Sequence, residues 1–139
     1  MQTFLPYSDF RESASVLDYR RLGKQRIEAA QILASLGVRV KKVDGNFYKP
    51  THKNHPCIKI WQGYENALKY YYNCIVEEWV TRGYKNNMEL FEVDNFELPP
   101  LIGREDYHNS HKSNLLRKFP EHYNNYNWKV STNLDYVWK

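Results

Sequence analysis

The chain has 139 residues, which suits one domain around one core, and its 42% hydrophobic and 26% charged residues are ordinary for a globular protein. No apolar run reaches the ~18 residues of a membrane span, and the N-terminal MQTFLPYSDFRES lacks a basic stretch followed by an apolar one, so neither a span nor a secretory signal is expected. A net charge of +4, a pI near 9.0 and an aromatic share of 16%, with twelve Tyr and four Trp, favour a polyanionic partner whose bases the rings can stack on.

MQTFLPY opens the chain as a short extended segment carrying Pro6. SDFRESASVL opens a small helix, with Asp9 as N-cap and Glu12 three residues on. A long helix follows, interrupted at Gly23 and otherwise running to Leu36, where Gly37 supplies the stop. At about 100° per residue, Leu22, Ala29, Leu33 and Leu36 fall on one side of it, and Arg20, Arg21, Lys24, Glu28 and Gln31 on the other. VRVKKVDGNFYKPTHKN reads as a loop; Val38, Val40 and Val43 alternate before an Asp44-Gly45 turn, which allows a small hairpin. The strongest periodicity begins at HPC, where Pro56 fits the first helical position. Cys57, Ile60, Trp61, Tyr64, Leu68, Tyr71, Tyr72, Ile75 and Trp79 recur at three- and four-residue spacing. They predict one central helix over residues 56–82, closed by Gly83, whose aromatic stripe is core packing rather than a cofactor box.

NNMELFEVDNFELPPLIG predicts an irregular acidic connector, and REDYHNSHKSNLLRKFPEHY a shorter helix over residues 109–118 ended by Pro120. NNYNWKVSTNLDYVWK is a polar, aromatic tail without a period. No repeat or second domain is evident. The expected fold is all-α: a compact single domain over residues 1–139, bundled around the long central helix. Cys57 and Cys74, both on that expected helix, would lie about 25 Å apart along its axis, too far to bridge. An intracellular, reducing compartment, the cytoplasm, is the expectation that follows.

Three constellations can carry chemistry. The stripe Arg20, Arg21, Lys24 and Glu28 has a plain reading, a solvated ion-paired face in which the Lys24–Glu28 pair contributes a few tenths of a kcal/mol. It also has a functional one: the cations clamp phosphates, Gln31 extends the stripe, and the carboxylate stabilises a cationic sugar transition state or moves a proton. The segments THKNHPC and HNSHKS hold four of the five histidines, His52, His55, His108 and His111. With Cys57 these could ligate a metal, but neither segment has the paired-cysteine spacing of a structural zinc site, and no metal or other cofactor is expected. Helix starts suit phosphate, because free backbone N–H groups point there. His52, Asn54, His55, His108, His111 and Lys112 would extend such a site, with capping alone as the alternative. The third constellation is the C-terminal run of Lys112, Arg117, Lys118, Tyr123, Tyr126, Trp128, Lys129, Tyr136, Trp138 and Lys139. Cations alternating with rings can follow a nucleic-acid backbone and stack bases; the alternative is that the rings cover a small core.

On MQTFLPY, LDYRRLGKQRIEAAQIL, NHPCIKIWQGYENAL, EEWVTRGYK and HKSNLLRKFPEHY, which span most of the chain in order, the protein resembles a phage and bacterial branch of the pyrimidine-dimer DNA glycosylases of the phage endonuclease V type. Likeness to the founding members rests on YRRL in the first long helix, EEWVTRGY at the end of the central one, DYHNSHKS and the tail YVWK. The resemblance implies a compact helical fold and an enzyme that kinks DNA, extrudes a nucleotide and breaks its glycosidic bond. It also implies attack by the α-amino group of the N-terminal residue, a glutamate on the first long helix, and an imine that permits strand cleavage. Two positions depart from this pattern. The glutamate's place within YRRL is Arg21 here, and the nearest carboxylate on the same stripe is Glu28, about two turns later. Gln2 follows Met1, and Met is normally retained before so large a residue, so the expected amine is that of Met1. An α-amine, with a pKa of about 8 against about 10.4 for lysine, is the better neutral nucleophile near pH 7; Lys24 is the alternative.

Three functions compete on this reading. One is a DNA glycosylase, with an abasic-site lyase step, that acts on damaged or modified bases in double-stranded DNA as a monomer, without membrane association. Another is a DNA-binding module of the same fold without chemistry, supported by Arg21 in the glutamate's place. The third is a metal-dependent nuclease built on the histidine segments. Borohydride trapping separates the first from the others, and chelator-sensitive cleavage picks out the third.

Overall fold

A computed structural model describes residues 1–51 and 54–139. Regular structure in them is helical: α1 (Phe10–Val16), α2 (Tyr19–Ser35), α3 (Pro56–Trp61), α4 (Glu65–Thr81), α5 (Glu105–Lys118) and the short α6 (Pro120–Tyr123), which runs into a 3-10 turn at Asn124–Tyr126. The fold is all-α.

Local chemistry sets most of the ends. Asp9 caps α1 by accepting from the Glu12 N–H at 2.9 Å. Leu36 ends α2, and Gly37 takes the left-handed conformation, φ 91°. The Gly37 N–H then reaches the Ala34 carbonyl and the Val38 N–H the Leu33 carbonyl, so two orphan acceptors of the last turn are filled. The loop after α2 closes as a minimal hairpin, with one antiparallel bridge, Lys41 to Phe47, around a turn at Gly45, φ 89°.

Three expectations change. Gly23 does not interrupt α2. It is where the Trp79 ring of α4 lies against the helix: a Cβ there would stand 3.1 Å from Trp79 Cζ3. The central helix is not continuous either. Gly63 adopts φ 86°, and the chain breaks at residues 62–64 into α3 and α4. The 25 Å separation inferred for Cys57 and Cys74 therefore does not apply; both are buried free thiols on different helices. Finally, α5 starts at Glu105 rather than at residue 109, with Glu105 and Asp106 in the first turn, where the helix dipole favours acids.

α4 is the buried centre. Leu68, Tyr71, Tyr72, Ile75 and Val76 are buried along it, and α1 and α2 pack on it. α2 presents Leu22, Ala29 and Leu33 to that core. The acidic connector is irregular but tied down: the Asn73 side chain donates to the Phe91 carbonyl at 2.8 Å and accepts from the Phe91 N–H at 2.9 Å. Much of the aromatic tail covers the core. Tyr123 is fully buried, and Tyr126, Trp128, Tyr136 and Trp138 pack half-buried against the apolar cluster.

Candidate active-site cleft

The charged face of α2 forms one wall of a cleft of about 1180 Å³. Met1, Gln2 and Phe4 of the N-terminal segment line it with Asp18, Tyr19, Arg20, Arg21, Lys24, Gln25 and Glu28 of α2 and its cap. Arg82 from the end of α4, Lys118, Phe119 and His122 from the α5–α6 corner, and Tyr136 from the tail complete it. Of the residues singled out from the sequence, Met1, Arg20, Arg21, Lys24, Glu28, Lys118 and Tyr136 thus share one space.

Its cations are not equivalent. Arg21 is tied to Asp18 at 3.2 Å, and Arg82 to Glu78 at 3.1 Å and to the Ser15 carbonyl at 3.1 Å. Arg20, Lys24 and Lys118 have no carboxylate within 4.0 Å among the described residues. The Lys24–Glu28 pair is not formed, so the plain reading of the stripe loses its ion pair. The partner of Glu28 is instead the Gln25 amide, whose Nε2 donates to Glu28 Oε2 at 2.7 Å.

Asp18 caps α2 and is buried. Burial alone would raise its carboxyl, but the Tyr123 hydroxyl, donating at 2.5 Å, and the Arg21 guanidinium outweigh that and hold it below the ordinary value. The Asp18 N–H donates back to the Tyr123 oxygen at 3.0 Å, so the α2 start is locked to the α6 end. Behind the cleft, burial pushes the Cys57 thiol up to about 11. The Thr3 hydroxyl, 3.7 Å from the Cys57 sulfur, opposes that shift without cancelling it.

Two histidines expected at a phosphate face inward instead. His108 and His111 are buried within α5 and grip the backbone of Leu5 from both sides. His108 Nδ1–H donates to the Leu5 carbonyl at 2.7 Å, its Nε2 accepting from the Gly103 N–H at 2.9 Å. His111 Nδ1 accepts from the Leu5 N–H at 2.8 Å. Each ring is thereby fixed in one neutral tautomer. Burial drops His111 to about 3, with His108 adding to the shift, and burial also lowers His108. Both hold the N-terminal segment at Leu5, and neither lines the cleft.

The other expected contacts are dispersed. Arg117 turns its guanidinium onto the chain's own tail, donating to the Thr132 and Leu134 carbonyls and to Asn114 Oδ1. Lys112 sits 5.1 Å from the centre of the Tyr7 ring. His55 caps α3 by accepting from the Cys57 N–H at 3.0 Å, and its ring meets Trp138 edge-on at 5.7 Å. Asn54 is exposed just before it, and Gln31 is half-buried beyond the cleft wall. His52 lies outside the described residues.

Gln25 was missed in the sequence. It lies on the apolar side of the α2 wheel, and a long polar residue on a buried face was the available signal. Asp18, Tyr19, Arg82 and Phe119 were not foreseen as cleft residues either, and Tyr136 was singled out only with the aromatic tail, because the cleft draws on five separate chain segments.

No curated protein and no solved structure matches the chain. The family described as pyrimidine dimer DNA glycosylase matches residues 1–92, a span that contains the N-terminal segment, all of α2 with Glu28, and α4. The chain belongs to the pyrimidine dimer DNA glycosylase family.

Proposed function

We propose that the protein binds duplex DNA, extrudes a damaged or modified nucleotide into the cleft, and cleaves its N-glycosidic bond. The observation that carries this is the meeting of Met1 and Glu28 in one cleft with three cations, Arg20, Lys24 and Lys118, that no carboxylate neutralises among the described residues. The cations hold phosphates flanking the extruded nucleotide, a sequence-independent role. Tyr19, Phe119 and Tyr136 offer the rings a base can stack on. The Met1 amine, with Lys24 as the alternative, attacks C1′ as the glycosidic bond breaks. The base leaves with the bonding electrons and takes up a proton. The amine gives up one proton, and its lone pair opens the sugar as O4′ takes up a proton. The protonated imine so formed accepts the electrons of the C2′–H bond, from which the 3′ phosphate is expelled. Glu28 stabilises the positive charge that develops on the sugar before the new bond is complete.

The test is Glu28→Gln on duplexes carrying cyclobutane dimers, abasic sites and modified pyrimidines. The amide oxygen still accepts from Gln25, so the local shape survives while the charge is lost. Single-turnover cleavage should fall by about 10²–10³ with DNA binding intact or tighter. Borohydride should trap the wild-type adduct, and peptide mapping should place it on Met1 rather than Lys24. Unchanged turnover in Glu28→Gln refutes the assignment, and no trapping on any duplex favours the DNA-binding module.

A further inference from the structure

Every hydrogen-bonding position of the Gln25 side chain is occupied, and the groups it joins belong to three different parts of the site. The residue is 1% exposed. Its Oε1 accepts from the Phe4 N–H at 3.2 Å and from the Tyr71 hydroxyl at 2.5 Å. Its Nε2 donates to the Gln2 carbonyl at 2.8 Å and to Glu28 Oε2 at 2.7 Å. Two acceptor and two donor positions are all a primary amide has. The orientation is also unique. Reversed, the amide would aim its NH2 at the Phe4 N–H and its oxygen at a carbonyl and a carboxylate; only the Tyr71 hydroxyl, which also reaches the Phe4 carbonyl at 3.2 Å, could answer either way.

We propose that Gln25 is a positioning residue that holds Glu28 and the N-terminal segment in one register, acting through them and not on the substrate. This rests on the reading of Met1 and Glu28 as the reacting pair. Tyr71 anchors the arrangement. It is fully buried on α4, the centre of the core, so its hydroxyl is a fixed point from which the amide is oriented. The chain of contacts runs from Tyr71 to Gln25 and from there in two directions. One leads to Glu28 a turn later on α2. The other leads to the backbone of Gln2 and Phe4, on either side of which the amine and the Leu5 clamp lie. A glutamate side chain alone has several rotamers open to the cleft; the Gln25 N–H selects the one that points toward the chain's beginning. Misplacement of a reacting group by about 1 Å costs on the order of 10²-fold in rate, so an amide that fixes both partners at once has a large lever on turnover.

Gln25→Glu separates positioning from simple structural support. The new carboxylate keeps the two acceptor roles toward Phe4 and Tyr71. It turns the two donor contacts, to Gln2 and Glu28, into repulsions between oxygens. Protonation restores an O–H donor. Single-turnover cleavage of dimer duplex should therefore fall about 10²-fold below wild type at neutral pH, and that deficit relative to wild type should narrow as pH is lowered. DNA affinity should stay within about twofold, since Gln25 touches no phosphate. Gln25→Leu removes all four bonds and should show the loss without the recovery. Tyr71→Phe removes the anchor with its second contact to the Phe4 carbonyl at 3.2 Å, leaves the other three Gln25 bonds, and should give a smaller loss if the Gln25 variants fold poorly. Hydrogen exchange at the Phe4 amide should speed up in both Gln25→Leu and Tyr71→Phe. Glu28→Gln is run alongside. Inactive Glu28→Gln with wild-type rates and pH profiles in folded Gln25 and Tyr71 variants overturns the positioning role alone. Active Glu28→Gln, or a wild-type protein that cleaves none of the dimer, abasic-site and modified-pyrimidine duplexes, overturns the reading of the site and this role with it.

Discussion

Replacing His111 by Asn tests the clamp that seats the N-terminal segment. Asn Oδ1 falls close to where the imidazole Nδ1 lies, so the Leu5 N–H keeps an acceptor while the titratable ring disappears. In the folded protein burial holds the His111 imidazole at about 3, against 6.5 for an ordinary histidine. Between those values the unfolded chain binds a proton at this position and the folded chain does not. Stability is therefore present above the unfolded value and is lost as pH falls through the window. The limiting slope is about 1.4 kcal/mol per pH unit for one proton. From pH 7 to pH 5 the two values give a loss of about 2 kcal/mol, roughly 5–10 °C in Tm for a chain of this size. His108, also lowered by burial, adds in the same direction. Thermal and urea unfolding of the wild type and His111→Asn at pH 7, 6 and 5 measures the difference. The variant starts less stable, because half a buried ring is gone, but it should lose about 2 kcal/mol less across the range. Equal pH dependence in the two proteins would mean that His111 titrates normally in the folded state, and the clamp as described would be wrong.

The cleft cations and Arg117 should separate cleanly. Arg20→Ala, Lys24→Ala and Lys118→Ala should each reduce the slope of log affinity against log salt by about one, alike on unrelated duplexes, in anisotropy titrations. Unchanged slopes in all three would remove the cleft from the DNA interface. Arg117→Ala should leave the slope alone and destabilise the fold by about 1–3 kcal/mol, because it strips donors from the tail carbonyls. Gly23→Ala would gain about 1 kcal/mol in a free helix. Here the methyl meets Trp79 at 3.1 Å, and that ring is held by its N–H to the Lys85 carbonyl and by Tyr84 and Arg26 on its faces. Urea unfolding should show no gain, and a full gain would mean that Trp79 moves freely.

The core was legible because its residue spacing is a direct image of helix geometry. Leu22, Ala29 and Leu33 needed only the 3.6-residue period to be placed inward. The break at Gly63 was hidden by the same period, since Trp61, Tyr64 and Leu68 stay three and four residues apart across it. His108 and His111 also keep helical spacing with Leu115, yet they read as surface ligands, because a histidine's burial depends on partners far away in the chain. Leu5 is more than a hundred residues from both. The cleft was half visible for a similar reason: the α2 stripe is local, whereas Arg82, Phe119 and Tyr136 reach it only through tertiary packing.

The place of the carboxylate follows from what surrounds each turn of α2. At position 21 the nearest group is the Asp18 carboxylate, buried, kept ionised by Tyr123 and facing the Arg21 guanidinium at 3.2 Å. An acid at that position would set two negative charges together in a poorly solvated pocket, an arrangement that forces one of them to take up a proton. A cation there is what this N-cap requires. Two turns later the helix returns to the same face, about 10.5 Å further along its axis. There the neighbour is not an acid but the Gln25 amide, which donates to Glu28. The N-terminal segment is led to this end of the helix by Gln25 and by the two histidines on Leu5. Arginine at 21 and glutamate at 28 are thus parts of one arrangement: Asp18 and Tyr123 fix the charge the first turn can carry, and the Gln25 amide joins the Glu28 carboxylate to the Gln2 carbonyl of the N-terminal segment.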